Sequence, residues 1–234
     1  MKNKIILLLI GCSFFWGSCN LMKTYIIEHS FKDAQVESLA SIKEYQLKGH
    51  YDTSFTYCIK QNADSNFQEK FASKLLSNHY VFNQDGKALC YNGNVTCSGK
   101  QLSQLILHQI DSFSVCTKSK TDLPLLFSKL ITTQNQAISF GQLPKADYYI
   151  LRYWSTSYTQ KNYKEEVEWI SELIAQSPNP TQFVYLKINF DIRNDQGFPL
   201  GTKIPIQVKR TKKSYKIDIG NLPPKNNPTE NSIK

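Results

Sequence analysis

The chain contains six cysteines, whose thiols can be acylated, paired in disulfides or used as nucleophiles. No two of them have the C-x-x-C spacing of a dithiol site or the spacing of zinc ligands. The histidines, which could complete a metal site, are scattered. We therefore predict no metal site. The cysteines are Cys12, Cys19, Cys58, Cys90, Cys97 and Cys116, and the histidines are His29, His50, His79 and His108.

Other catalytic patterns are missing from the sequence. It has no G-x-S-x-G motif and no glycine-rich phosphate loop. The acidic residues early in the chain show no spacing that would pair two carboxylates for acid–base catalysis. They are Asp33, Glu37, Glu44 and Asp52. We therefore predict no catalytic residue and no cofactor, and we favour a role without enzymatic activity.

The N-terminus predicts export from the cytoplasm. Lys2 and Lys4 precede a mainly apolar stretch, Ile5–Trp16. This stretch is too short for a bilayer, which needs about 20 apolar residues, but it has the length of a signal-peptide core. We therefore predict that residues 1–19 form a signal peptide region.

Small residues directly before a cysteine resemble the lipobox of bacterial lipoproteins, whose cysteine is acylated. Gly17-Ser18 precedes Cys19 in this way. Cys12 is the alternative: Leu9-Ile10-Gly11 matches the lipobox letters better but leaves only about half a normal apolar core. We assign lipidation to Cys19 and expect a cell-envelope protein, anchored to the inner or outer membrane and facing the periplasm or the surface. A cleaved signal without lipid and a short uncleaved anchor remain open.

Composition predicts a folded body rather than disorder, since 41% of residues are hydrophobic and the chain has 13 Tyr and 13 Phe. The net charge is +9, and removal of Lys2 and Lys4 lowers it to +7. An exported protein meets no chromosome, so we predict no nucleic-acid partner. The excess positive charge indicates either solvated surface lysines or contact with anionic lipid or lipopolysaccharide.

Export makes disulfides possible for the four remaining cysteines. Cys90 and Cys97 bracket Asn92-Gly93, a pair typical of tight hairpin turns, so we expect them to face each other and form a bridge. Cys58 would then pair with Cys116. The alternative is that they are buried free thiols.

Residues 20–136 show a mixed α+β pattern. Short runs rich in aromatic and β-branched residues predict strands, and apolar residues at helical spacing predict helices. The predicted strands are Tyr25–Ile27 and Glu44–Lys60, the predicted hairpin is Tyr80–Tyr91, and the predicted helices are Asn66–His79, Gly99–Phe113 and Leu123–Ile131.

Residues 137–220 show a more regular pattern. The apolar strand Asp147–Trp154, the amphipathic helix Thr159–Ser177 and the strand Gln182–Ile192 form a βαβ unit, which requires the two strands to be parallel. Ile204–Val208 and Tyr215–Ile219 form a terminal hairpin. The tail 221–234, rich in proline and asparagine, is predicted to be disordered.

The segment Tyr149–Asp191 is similar to thioredoxin-fold proteins, which occur in many exported lipoproteins of Bacteroidetes. The similarity lies in a strand ending in aromatic-Trp, a turn that opens a helix, and a strand ending in Asn-Phe-Asp. Lys203-Ile204-Pro205 resembles the family's cis-proline segment, which lies against the active-site turn. The resemblance covers residues 137–220 and implies a three-layer, thioredoxin-like C-terminal half beside a smaller mixed N-terminal half.

The sequence departs from this family where its chemistry takes place. Tyr158 and Lys161 occupy the positions, four and seven after Trp154, where the family has its two cysteines, and neither can exchange disulfides. Arg152 replaces the family's buried acidic residue. The resemblance therefore implies a degenerate turn formed by Trp154, Tyr158, Lys161 and Pro205, without redox activity.

Three functional hypotheses follow. The first is a lipid-anchored protein whose thioredoxin-like scaffold binds a protein or envelope partner. The second is a divergent periplasmic thiol–disulfide oxidoreductase that uses the cysteine pairs 90/97 or 58/116. The third is a lipoprotein subunit that completes an envelope complex.

Overall fold

The computed structural model describes residues 34–60, 79–95, 97–108, 112–117, 119, 122–157, 162–210, 215–220 and 224. These residues form four α-helices and nine strands. The helices are α1 (Leu39–Lys48), α2 (Ser98–His108), α3 (Leu123–Phe127) and α4 (Asn162–Ala175). The strands are β1 (Thr56–Ile59), β2 (Tyr80–Asn83), β3 (Ala88–Tyr91), β4 (Phe113–Val115), β5 (Leu130–Thr132), β6 (Tyr148–Trp154), β7 (Phe183–Asn189), β8 (Ile206–Arg210) and β9 (Tyr215–Ile219).

The predicted βαβ unit is confirmed and lies at the centre of a seven-stranded mixed sheet. Strand β6 runs parallel to β7 over their full lengths, from Tyr148 opposite Phe183 to Trp154 opposite Asn189. Helix α4 connects the two strands. The sheet order is β4-β3-β2-β6-β7-β1-β5, so both strands of the unit are interior strands.

The neighbours of the central pair come from the preceding part of the chain. Strand β2 pairs with β6 in antiparallel orientation, and β1 pairs with β7 in parallel orientation. The hairpin β2–β3 is confirmed, and β4 and β5 close the two edges. The regions 20–136 and 137–220 therefore contribute to one sheet.

Side-chain alternation divides the core into two layers. Tyr149, Leu151 and Tyr153 point to one face of the sheet, where they pack with α3 and the segment 138–146. Ile150 and Trp154 point to the other face, which α1, α2 and α4 cover. Apolar runs without alternation, such as β6 and β7, are expected for strands buried on both faces.

Three predicted elements have different limits in the structure. The strand predicted for Glu44–Lys60 is wrong at its start, because α1 occupies Leu39–Lys48 and β1 begins only at Thr56. Ser38 caps α1, and its hydroxyl accepts the Ser41 N–H at 2.9 Å. The predicted helices Gly99–Phe113 and Leu123–Ile131 end early, at His108 and Phe127, and strands β4 and β5 follow them.

The terminal hairpin is confirmed as an antiparallel pair, but β8 and β9 form a two-stranded sheet of their own. The predicted strand Tyr25–Ile27, the predicted helix up to residue 78 and, apart from Pro224, the tail 221–234 lie outside the described residues.

Candidate functional site

The carboxyl ends of β6 and β7 meet at a buried polar cluster. The chain continues from β6 into Ser155-Thr156 and from β7 into Phe190-Asp191. The Asp191 carboxylate accepts the backbone N–H of Thr156 at 3.0 and 3.3 Å, one distance to each oxygen. It also accepts the Asn189 side-chain amide at 2.8 Å. Asp191 thus holds together the ends of the two central strands, at the edge where open α/β sheets usually bind ligands.

Burial controls the ionisation of this carboxyl group. Loss of solvation raises the pKa of Asp191 above its ordinary value, and the hydrogen bonds from Asn189 and Thr156 offset this only in part. The buried Thr156 hydroxyl has no hydrogen-bond partner among the described residues. The cluster is therefore a desolvated acceptor site rather than a pair of acids suited to proton transfer.

Trp154 closes the cluster on the helix-covered face of the sheet and is fully buried, as the sequence predicted. Its ring stacks on Tyr45 of α1, with centroids 6.0 Å apart. Burial raises the pKa of the Tyr45 hydroxyl well above its ordinary value, so Tyr45 stays protonated. Tyr158 and Lys161 of the predicted turn lie outside the described residues.

Pro205 does not match the expected cis-proline. No peptide bond among the described residues is cis, including the one before Pro205. Pro205 is exposed, and its carbonyl accepts the Gly220 N–H at 2.7 Å. Ile204 donates to the carbonyl of Ala34 at 2.9 Å. Pro205 therefore belongs to the junction between the terminal hairpin and the first described segment.

The structure contains a disulfide, but the predicted pairing is wrong: Cys90 bonds to Cys116, with Cα atoms 5.1 Å apart. After Tyr91 the chain leaves the sheet for α2, so Asn92-Gly93 does not return Cys97 to a position opposite Cys90. Instead β4 pairs with β3, and Cys116 follows β4 directly. The register between the edge strand β4 and its neighbour β3 determines this bond, and the intervening turn does not.

The two free cysteines among the described residues differ sharply. Cys58 lies on β1 and is fully buried, and burial raises the pKa of its thiol to about 12. Cys97 is exposed just before α2, and N–H groups of Lys100 and Gly99 lower the pKa of its thiol. Of these two, Cys97 has the exposure and the lowered pKa that favour a reactive thiolate.

A second cluster of polar side chains lies on the helix-covered face of the central strands. Glu166 of α4 forms a two-point salt bridge with Arg152, with distances of 3.1 Å from Nε to Oε1 and from Nη2 to Oε2. His79 Nε2 lies 2.8 Å from the same Oε1. Burial acts to raise the pKa of Glu166, but His79 and Arg152 outweigh it and lower the pKa overall.

Lys187 extends this second cluster across the sheet, since it lies directly opposite Arg152 in the parallel register. Its ammonium group is buried and forms a 2.6 Å ion pair with Asp52, which is half-exposed. Burial lowers the pKa of Lys187. Within the described part of the chain, the buried Tyr185 hydroxyl on the same strand has no hydrogen-bond partner. We call Asp52, His79, Arg152, Glu166, Tyr185 and Lys187 the polar layer of the central strands.

Sequence reasoning missed this layer. The available signal was a single charged residue within each apolar strand, Arg152 in β6 and Lys187 in β7. Buried charges require partners, so each should have indicated an acidic residue elsewhere in the chain. Both cations have such a carboxylate, which makes the layer a compensated structural network.

The described residues contain neither a metal-ligand cluster nor a membrane-spanning helix. Within them, no three His, Cys, Asp or Glu side chains are placed to share a metal ion. None of the helices in the described ranges has the length and apolar content needed to cross a membrane. No family model, curated protein or solved structure matches this chain.

Proposed function

We propose that this protein is an exported, lipid-anchored binding protein of the cell envelope, built on a thioredoxin-like scaffold without redox activity. The observation that carries the proposal is the turn after Trp154: residues 155–161 contain no cysteine, although the turn follows a buried strand of a confirmed βαβ unit. Thiol–disulfide exchange requires an attacking thiolate, which this turn cannot supply.

The other cysteines do not replace the missing thiols. In the sheet, Cys58 is paired with Asn189, and Asn189 is paired with Trp154. Cys58 and Trp154 are therefore separated by two strand spacings, or about 10 Å. Its buried thiol, with a pKa raised to about 12, is almost fully protonated at neutral pH. Cys90 and Cys116 are bonded to each other on the β3–β4 side of the sheet.

An insulin-reduction assay tests the absence of redox activity. We expect the full chain not to accelerate the reduction of insulin by dithiothreitol above background. A Cys58→Ser variant serves as the matched control and should behave identically. Clear acceleration by the native chain would contradict the proposed function.

The anchor requires its own experiment, because the N-terminus determines the location. Cys19→Ala should move the protein from the membrane to the soluble fraction or stall its processing, and Cys12→Ala should leave it anchored. Stable anchoring takes two lipid signals, so partial release would indicate incomplete acylation. Normal lipidation of Cys19→Ala, read from the intact mass, would contradict the assignment.

Cys97 favours a second candidate function, the divergent thiol oxidoreductase. It is an exposed thiol whose pKa is lowered by backbone N–H groups. However, alternation along β3 places Cys90 on the same face as Ala88, opposite the face that carries Leu89 and α2. Cys97 thus has no neighbouring disulfide on its own face. Reductase activity that disappears in Cys97→Ser would favour this candidate.

A further inference from the structure

A cavity of about 640 Å³ opens at the amino ends of the central strands, away from the polar cluster at their carboxyl ends. Its volume lies within the roughly 300–1,000 Å³ typical of small-molecule sites. We call it the amino-end cavity. It is lined by Gln84, Asp85, Lys145, Ala146, Asp147, Tyr149, Asn179, Thr181 and Gln182.

Two hydrogen-bonded turns form its walls. In the β2–β3 turn, the Asn83 side chain accepts the N–H groups of Asp85 at 3.2 Å and Lys87 at 2.8 Å. Before β7, the Asn179 side chain accepts the Thr181 hydroxyl at 2.9 Å, and its carbonyl accepts the Gln182 N–H at 3.2 Å. These walls are fixed before any ligand binds, which lowers the entropic cost of binding.

The floor of the cavity is rigid and exposes little apolar surface. Ala146 and Tyr149 are both buried. The Tyr149 ring is held edge-on by Phe140, with centroids 5.2 Å apart, and its hydroxyl donates to the Pro144 carbonyl at 2.9 Å. Because the protein itself covers most of both side chains, a ligand in the cavity would meet mainly the polar groups of the rim.

The polar rim has unused hydrogen-bonding capacity. Among the described residues, the side chains of Gln84, Asp85, Lys145 and Asp147 have no hydrogen-bond or ion-pair partner, although opposite charges share the rim. Amides offer a donor and an acceptor together, carboxylates accept, and the ammonium group donates. This combination suits a ligand whose hydroxyl groups each donate and accept.

The charge of the lining narrows the choice of ligand. Two carboxylates and one ammonium group give the cavity a net negative lining, on a chain whose overall charge is +9. Complementarity therefore disfavours phosphate- or sulfate-bearing ligands. An uncharged polyhydroxylated ligand fits the polar groups of this rim.

We infer that the amino-end cavity binds an uncharged saccharide, with its hydroxyl groups bonded to Gln84, Asp147 and Asn179. This inference rests on the proposed binding function and supplies its ligand class. By binding a saccharide of the cell envelope, the lipid-anchored protein would attach to a second component of the envelope.

The test is an NMR titration of the full-length, ¹⁵N-labelled chain in detergent with cellobiose, lactose and chitobiose. At least one disaccharide should shift amide signals of residues 84–85, 145–149 and 179–182. Gln84→Ala and Asp147→Ala, whose side chains have no structural partners, should each weaken binding by about three- to tenfold. Gln136→Ala, an exposed glutamine beyond β5, serves as the matched control and should bind normally.

The remaining outcomes overturn the inference. These are no shifts with any of the three disaccharides, shifts only outside the cavity, or shifts that both variants leave unchanged. Shifts at the cavity with trilysine and none with the sugars would assign it to cationic peptides instead. The proposed function is tested separately by membrane fractionation and insulin reduction, neither of which depends on this cavity.

Discussion

At the residue scale, Asp191 combines a structural and an electrostatic role. Its carboxylate joins the ends of β6 and β7 through the Thr156 N–H and the Asn189 amide. Because the group is fully buried, ionisation removes it from water without a matching cation among its hydrogen-bond partners. Its pKa is raised in the folded chain, so the folded state holds this proton more tightly than the unfolded state does.

Asp191 is therefore expected to make stability fall as pH rises. Between its ordinary pKa and the raised pKa of the fold, the folded state binds more protons, and the free energy of unfolding decreases until pH exceeds both values. Asp191→Asn keeps an acceptor for Thr156 but cannot ionise, so this fall should disappear. Urea denaturation of both proteins from pH about 4 to about 8 measures it.

Asp147→Asn, at an exposed position, is the matched control for this experiment and should leave the pH profile unchanged. If Asp191→Asn and the native chain lose the same free energy of unfolding over this pH range, the pH dependence does not arise from ionisation of Asp191.

Lys187 presents the opposite case, a buried cation that depends on one partner. Asp52→Ala would leave the ammonium group buried and unpaired, so we expect a loss of about 1–3 kcal/mol in the free energy of unfolding. Lys187→Met removes the charge and keeps the volume, so it should be neutral or stabilising. Urea denaturation measures both changes. Lys203→Met, at an exposed position, is the control. A larger loss in the free energy of unfolding from Lys187→Met than from Asp52→Ala would contradict this account.

Residue types in the sequence indicated some of this site but not its contacts. The apolar run that ends at Trp154 correctly predicted a buried tryptophan, because a strand apolar on both faces must lie inside. Arg152 was visible as an exception within that run. Its partner Glu166 and its neighbour Lys187 depend on the register of two strands and on the rotation of a helix, which one sequence does not specify.

At the scale of elements, sequence patterns predicted the secondary structure correctly where they agreed with the tertiary packing. The predictions were wrong where two patterns overlapped. The β2–β3 hairpin was predicted correctly from its turn residues. The strand prediction for Glu44–Lys60 extended the aromatic pattern of β1 backward and missed the cap at Ser38 that starts α1. Similarly, Asn92-Gly93 indicated a turn, but β3 pairs with the distant β4, and this pairing selects Cys116.

The Cys90–Cys116 bond should stabilise the β3–β4 edge by restricting the unfolded chain. Closing a loop with a sequence separation of 26 residues corresponds to about 3.5 kcal/mol in the chain-entropy estimate, which measured values often do not reach. We expect Cys90→Ser/Cys116→Ser to lower the free energy of unfolding by up to this amount in urea titrations. Cys97→Ser, at an exposed free thiol, is the control and should have little effect. Peptide mapping that links Cys90 to Cys97 would contradict the pairing.

At the scale of the whole molecule, the division of the sequence at residue 136 does not correspond to a division of the core. One buried cluster joins Tyr57 and Phe127 to Leu186, and the other joins Ile106 to Trp154 and Ile170. Composition and periodicity describe each segment by itself, so they could predict the βαβ unit but not the strands that flank it. The pairing of β1 with β7 joins residues more than a hundred positions apart, which local patterns do not encode.

This shared sheet predicts that the chain folds as one unit. In a fragment of residues 137–220, β6 would lose its partner β2 and β7 would lose β1, which would turn two interior apolar strands into exposed edges. Such edges promote aggregation. We expect circular dichroism and light scattering to show that this fragment is unfolded or aggregated. The chain from residue 20 should instead unfold in urea in one transition, in which tryptophan fluorescence and circular dichroism change together. The matched fragment 20–136 should also fail to fold, since β1 and β2 meet only through β6 and β7. A monomeric, cooperatively folded 137–220 fragment would show instead that the βαβ unit and the terminal hairpin are stable without the flanking strands.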